Sequence, residues 1–367
     1  MTDVPNPDDT APASPPDALP APEPLPASGS GEAAEADRAA AIVVTPEPVP
    51  GRDVIVAIDV GGATFAAGLM TMKGELIDRT YVDVNHALAA GDLFESLADI
   101  VRQMLERATG HHQMRPVVVG VACEGPLEPN VESVSPLNLL AWRGFPLRAR
   151  LQAVTGLPVY GDLDAKSLAL AEGWLGAAQG RSNFIAMVVS TSVGGGIVLN
   201  GQLLDGASGN AGHIGHVIVE PNGRRCSCGS RGCLEAEASG RAIEAITGRP
   251  PTEPSYEIMQ RTGDLVGRAV ASVCNLLDLD LVVVGGSVAL GFGATFFNSA
   301  QEALAEHSTL SFSRGARITP ARLGDKGPLI GAGAVAVRGL RRARRATGRR
   351  RRTEPVPPGD AWEDSER

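Results

Sequence analysis

Four side chains, His216, Cys226, Cys228 and Cys233, constrain the fold of this chain more than any other feature. The spacing His216-x9-Cys226-x-Cys228-x4-Cys233 offers one imidazole and three thiolates, the donor set of a closed tetrahedral zinc site. A structural zinc pins a loop, and it fixes whatever polar groups flank that loop. Here the flanking groups are His213 and Glu235. The remaining cysteines, Cys123 and Cys274, stand alone in apolar stretches. This usage points to a metal site in a reducing compartment rather than a disulfide framework, with the cytoplasm as the expected location.

The chain has 367 residues, 43% of them hydrophobic, enough for a sizeable core or two moderate ones. Its net charge of -9 gives the whole molecule no electrostatic reason to seek nucleic acid. The charge is uneven. Residues 1–51 are rich in Pro, Ala, Asp and Glu and lack apolar periodicity, so they read as a disordered acidic tail. The basic run RRARRATGRRRR begins at residue 341, and an acidic terminus follows it. Residues 341–367 read as a solvated tail, with a phosphate-rich partner as the minority reading. No segment approaches about eighteen uninterrupted apolar residues, so no membrane span is expected. The N-terminus has neither the basic start nor the hydrophobic run of a secretory signal.

Folding signals begin near Arg52. Asp53–Asp59 and Phe65–Met70 read as a β-hairpin around Gly61-Gly62, with Val82–Val84 as a third strand. Asp92–Thr109 has helical spacing, and Pro116–Ala122 reads as a buried strand. A second lobe is expected to open at Leu157, with a helix from Asp164 to about Gly176 and strands at Phe184–Val189 and Gly195–Asn200. Further on, helices are predicted at Tyr256–Leu277 and about Ala294–His307, around a strand at Leu281–Val284. The expected division is a lobe over 52–156, a zinc-bearing lobe over 157–326, and a final helix over 327–340 that completes the first lobe. Hairpins, crossover helices and buried strands in two successive lobes argue an α/β fold with a cleft between them.

Three glycine-rich turns each follow a predicted strand: Asp59–Thr64, Ser190–Gly196 and Val284–Ser287. Glycine permits close backbone approach, and successive N–H groups can form a nest for anionic oxygens. A tight hairpin needs glycine as well, so each turn alone is weak evidence. None matches GxxxxGK[ST] or opens a helix as GxGxxG. Asp164 stands at a predicted helix start, where two readings stay open: a cap stabilised by the helix dipole, or a general base.

From about residue 54 to 340 the chain resembles the ROK family of sugar kinases and repressors. The resemblance rests on DVGGATFAAG (Asp59–Gly68), GVACEGPL (Gly120–Leu127), PLNLLAW (Pro136–Trp142), LPVYGDLDAKSLALAE (Leu157–Glu172), STSVGGGIVLNG (Ser190–Gly201), GNAGHIGH (Gly209–His216), the cysteine segment through Gly240, and VVVGGSV (Val282–Val288). It implies the two-lobed actin-like ATPase fold, related to ribonuclease H, with sugar and ATP meeting in the cleft. It implies that Asp164 takes the proton from a sugar hydroxyl as that oxygen attacks the γ-phosphate. Gly61, Gly62, Thr64, Thr191, Gly194 and Gly195 would lie along the phosphates with Mg²⁺, and Gly285 and Gly286 beside the adenosine. Asn138, His213, His216 and Glu235 match sugar-contacting positions, and His216 would ligate zinc as well. A homodimer is a family expectation. Glucose is the leading substrate and N-acetylmannosamine the second. The alternative is a catalytically impaired sugar sensor without a DNA-binding domain, since residues 1–51 hold no helical apolar pattern.

The chain departs from the family pattern at several points. Ala63 stands where a threonine is usual, Ser192 where a glycine is usual, and Leu163 where a sugar-contacting asparagine is usual. Asp162 and Lys166 replace Glu and Asn, and His213 replaces the glutamate of E-x-G-H. Bacterial N-acetylmannosamine kinases that resemble this family also carry G-H-I-G-H there. A sugar hydrogen bond lost at Leu163 is worth roughly 1–3 kcal/mol. A serine forced to positive φ at 192 would cost on the order of 1 kcal/mol.

Overall fold

A computed structural model describes residues 52–353 of the chain. The acidic tail expected over 1–51, and the terminus from 354 to 367, lie outside the described residues. The elements in chain order are β1 (Asp53–Val60), β2 (Thr64–Thr71), β3 (Leu76–Asp83), α1 (Ala90–Glu106), β4 (Arg115–Cys123), α2 (Leu147–Thr155), β5 (Val159–Leu163), α3 (Asp164–Leu175), β6 (Phe184–Val189), β7 (Val193–Leu199) and β8 (Gln202–Leu203). There follow α4 (Leu234–Ala238), α5 (Gly240–Thr247), α6 (Tyr256–Leu277), β9 (Leu281–Gly285), α7 (Ser287–His307), β10 (Arg317–Pro320) and α8 (Gly327–Thr353).

The strands form two five-stranded sheets, ordered β3-β2-β1-β4-β5 and β10-β9-β6-β7-β8. Both sheets follow one plan. Three antiparallel strands come first, and two strands reached through helices then add in parallel on the open side. This is the expected α/β architecture, and the shared plan is a structural repeat that the sequence does not display as a period. In β1 the side chains alternate between two covers. Val54, Val56, Ile58 and Val60 join the core under α1, whereas Ile55 and Ala57 pack beneath α8. Burial on both faces explains why this strand reads as a continuous apolar run.

Helix α8 lies against β4, β1 and β5 and against α3. Its small-residue face is a packing requirement: a Cβ at Gly120 of β4 would overlap the Ala332 carbonyl, and one at Gly331 would press on Ser167 of α3. The final helix thus belongs with the first sheet, but it does not end at Leu340. It runs on to Thr353 and carries the whole run RRARRATGRRRR in helical form. The arginines and alanine there favour helix, and no proline or cap stops it.

Two other expectations are corrected. The boundary at Leu157 falls inside the first sheet, because β5 pairs in parallel with β4 from Val119↔Val159 to Cys123↔Leu163. Gly156, just before that boundary, is the left-handed end of α2. Helix α7 starts at Ser287, well before Ala294, and bends at Gly293, where φ is 58°. Among the described residues no helix is long and apolar enough to cross a membrane.

Candidate active site and metal centre

Strands β1, β4 and β5 run in parallel and end at one edge, so their last residues deliver side chains to the same place. Val60 pairs with Cys123, and Cys123 pairs with Leu163. The residues that follow, Glu124 and Asp164, are therefore neighbours, with Asp59 one step back on β1. Asp164 opens α3, and its Oδ1 accepts the Ala165 N–H at 2.7 Å. Leu163 occupies the cap position and no side chain caps the helix, so Asp164 is the first helical residue rather than the cap, and its carboxylate lines a recess.

Asp164 lines a recess with Asn138, Gly194, Gly195, His213, His216 and Glu235, all predicted site residues. Glu124 and Leu163 line it too. Glu124 accepts hydrogen bonds from the Gly62 N–H at 3.1 Å and from Asn138 Nδ2 at 2.9 Å. Asn138 Oδ1 in turn accepts from Arg241. The amide of Asn138 is therefore held at both ends. Gly62 must be glycine, since a Cβ there would sit 2.7 Å from Asn138 Cβ. Glu235 Oε2 accepts the Val193 N–H at 3.2 Å, which fixes the start of α4 against β7.

The carboxylates raise one another's pKa. Burial, then repulsion from Glu124 opposed by the Ala165 N–H, pushes Asp164 up to about 7. Burial, with Asp164 and Glu124 adding, pushes Asp59 up to about 8. Burial also raises Glu124, against the hydrogen bonds of Asn138 and Gly62. A cluster of hard oxygen donors that resist sharing negative charge is electrostatically suited to a divalent cation such as Mg²⁺.

His216, Cys226, Cys228 and Cys233 converge, with all four ligand atoms within 4.8 Å of one another. The Cys228–Cys233 sulfur separation and the Cys226 Sγ–His216 Nδ1 separation are both 3.7 Å. An edge of a tetrahedron with Zn–S of about 2.3 Å measures about 3.8 Å, so the donor set fits zinc. Cys233 immediately precedes α4, and Leu234 N–H bonds the Val217 carbonyl at 2.9 Å. The cluster therefore includes His216 at one end of the segment and, at the other, ends at Cys233, two residues before Glu235.

The other predicted residues are placed around this recess rather than in its lining. Gly61 closes the first hairpin by donating to the Thr64 carbonyl at 3.1 Å, and Thr64 begins β2. Thr191 is exposed at the tip of the β6–β7 turn. Ser190 and Ser287 hydroxyls lie 2.9 Å apart, which joins the second glycine turn to the third, at Gly285-Gly286. Gly286 has φ of 99°, and a Cβ there would overlap the Val189 carbonyl, so packing alone demands it. Ser192 is not among the non-glycine residues with positive φ, so the strain expected there is absent. Glu124 and Arg241 are the functional candidates that sequence reasoning passed over. Glu124 had a usable signal, a carboxylate ending a buried strand, but its meaning depends on the pairing of β4 with β1. Arg241 had none.

The sequence signature described as the ROK family matches residues 55–338. The glucokinase of Halalkalibacterium halodurans is 30% identical over 311 residues, covering 76% of this chain and 93% of that protein. The N-acetylmannosamine kinase of Haemophilus influenzae is 35% identical over 253 residues, covering 65% of this chain and 81% of that protein. The crystal structure of a ROK family glucokinase from Streptomyces griseus, in complex with glucose and AMPPNP, superposes with a TM-score of 0.67 at 26% identity, covering 78% of this chain and all of that one.

Proposed function

The chain belongs to the ROK family, and on that premise we propose that it phosphorylates a hexose hydroxyl from ATP, with Asp164 as general base. The observation that carries this reading is the recess in which Asp164, raised to about 7, stands beside Asn138, His216 and Glu235. A base is most useful when its pKa lies near the working pH. The acceptor hydroxyl gives its proton to an Asp164 carboxylate oxygen as its own oxygen attacks the γ-phosphorus and ADP leaves. Asn138 is pre-oriented by Glu124 and Arg241, and Glu235 by Val193, so both can hold sugar hydroxyls without reorganising. His216 turns Nδ1 toward Cys226, which leaves Nε2 as a donor to the sugar once zinc is held. Mg²⁺ bound with ATP neutralises the phosphate oxygens; Asp59 and Glu124 are the carboxylates suited to orient it. Gly61, Gly62, Thr64, Thr191, Gly194 and Gly195 are assigned to the phosphates, and Gly285 and Gly286 to the adenosine side.

Glucose is the first substrate. N-acetylmannosamine is the second reading, and one observation favours it. Leu163 replaces a polar contact with an apolar one. A Cβ built on Gly125 would stand 2.5 Å from its Cδ2 and 3.4 Å from His213 Cε1, so both side chains border one corner of the recess, where Leu163 is 3% exposed. An acetamido methyl suits that corner better than a hydroxyl.

Coupled ADP release across glucose, mannose, N-acetylglucosamine and N-acetylmannosamine tests the proposal. Sugar-dependent release should fall about 10³-fold in Asp164→Asn. No release above that variant with any of the sugars would remove the kinase reading. Sugar binding by calorimetry without turnover would then indicate a sensor.

A further inference from the structure

On the far side of α3 from the cleft, α8 carries Arg338, Arg341, Arg342 and Arg345, the spacing of a single helix face. All four line a recess of about 490 Å³ between α3, β7–β8 and α8, whose apolar lining includes Trp174 and Phe184. Arg181 also lines it.

The charges in this recess do not balance. Arg338 binds Asp162 at 3.0 Å and Asp205 at 2.8 Å, and Arg342 binds Asp205 at 2.9 Å. Lys166 draws on the same two carboxylates, at 2.8 and 3.3 Å, and Arg181 pairs with Asp280. Arg341 and Arg345 form no ion pair among the described residues. The residues that line the recess thus include five arginines and no carboxylate, and the carboxylates that pair with Arg338, Arg342 and Arg181 lie outside its lining. Like charges four residues apart on a helix repel, so an added anion relieves an unfavourable arrangement. Guanidinium forks also match phosphate oxygens in geometry.

We propose that this recess is a second ligand site, separate from the cleft, for a phosphate-bearing small molecule. Its phosphate engages Arg341, Arg342 and Arg345, and the rest of the molecule lies on the apolar lining beside Trp174. A nucleotide and a sugar phosphate share this chemistry. The proposal does not depend on turnover in the cleft. The site is placed to influence it, however, because Asp205 begins the segment that leads to His213 and accepts the charges of Arg338 and Arg342.

The test is titration calorimetry of the full chain with pyrophosphate, ADP and glucose 6-phosphate, in low and in moderate salt, beside Arg341→Gln/Arg345→Gln. Both arginines are exposed, so the double variant keeps the fold, and an unchanged melting curve checks this. A binding event of the native chain that weakens with salt should weaken about tenfold or more in the double variant, with basal turnover unchanged. ADP gaining over pyrophosphate in that event identifies a nucleotide site, and glucose 6-phosphate gaining identifies a sugar-ester site. Identical isotherms for the two proteins with all three probes would overturn the proposal.

Discussion

Asp162 and Asp164 are two residues apart and belong to opposite electrostatic regions. Asp164 faces the cleft with Asp59, Glu124 and Glu235, where burial and mutual repulsion outweigh the hydrogen bonds that favour charge. Asp162 faces the other way, into a network with Lys166, Asp205 and Arg338. Lys166 is 1% exposed there and also donates to the Gly209 carbonyl at 2.9 Å. Burial alone would raise the Asp205 carboxyl, but hydrogen bonds from Arg338 and Arg342 overcome it and hold the group well below the usual carboxylate range. One region keeps carboxylates reactive. The other spends them on tying α3, the segment after β8 and α8 together.

Substitutions at the two aspartates should act in opposite directions. Asp164→Asn should cost about 10³-fold in turnover yet raise resistance to denaturant at pH 8, because it removes a charge the fold disfavours. Asp162→Asn should do the reverse, leaving Lys166 short of a partner and losing about 3 kcal/mol of stability in a denaturant titration. Equal stability losses from both would erase the distinction. The same contrast has a pH signature. The folded pKa values of Asp164 and Asp59 are raised, so the stability they contribute is present at low pH and is lost as pH rises through about 7 and about 8 respectively. Asp205 is depressed, so its contribution is present above the ordinary carboxylate pKa and is lost as pH falls through its folded value.

A smaller effect is expected at the metal centre. Cys228→Ser should reduce bound zinc from about one per chain and weaken sugar binding about tenfold, with the loss mainly in KM. A fully folded native chain that carries no metal would remove the zinc assignment. Leu163→Asn should shift the ratio of kcat/KM for glucose over N-acetylmannosamine about tenfold toward glucose. An unchanged ratio would show that this corner does not read the sugar.

The cleft was more legible in the sequence than the network behind it. Asp164, His216, Glu235 and the cysteines sit in compact motifs whose chemistry is local. Asp162 and Lys166 looked like two unrelated departures, and the structure shows them bonded to each other. Their spacing of four residues on a strand-to-helix junction was visible, but Asp205 and Arg338 come from distant parts of the chain. Glu124 was hidden for the same reason, since only the pairing of β4 with β1 and β5 brings it to Asp59 and Asp164. The boundary at Leu157 is displaced because the parallel pairing of β5 with β4 is a long-range contact that no local signal near Leu157 reports.

A base tuned by its neighbours must leave its titration in the pH dependence of sugar phosphorylation. With sugar and MgATP both limiting, the rate reports the free enzyme. It should rise about tenfold per pH unit below about 7 and level off above. A profile flat from pH 6 to about 8 in an active enzyme would contradict the base role proposed for Asp164.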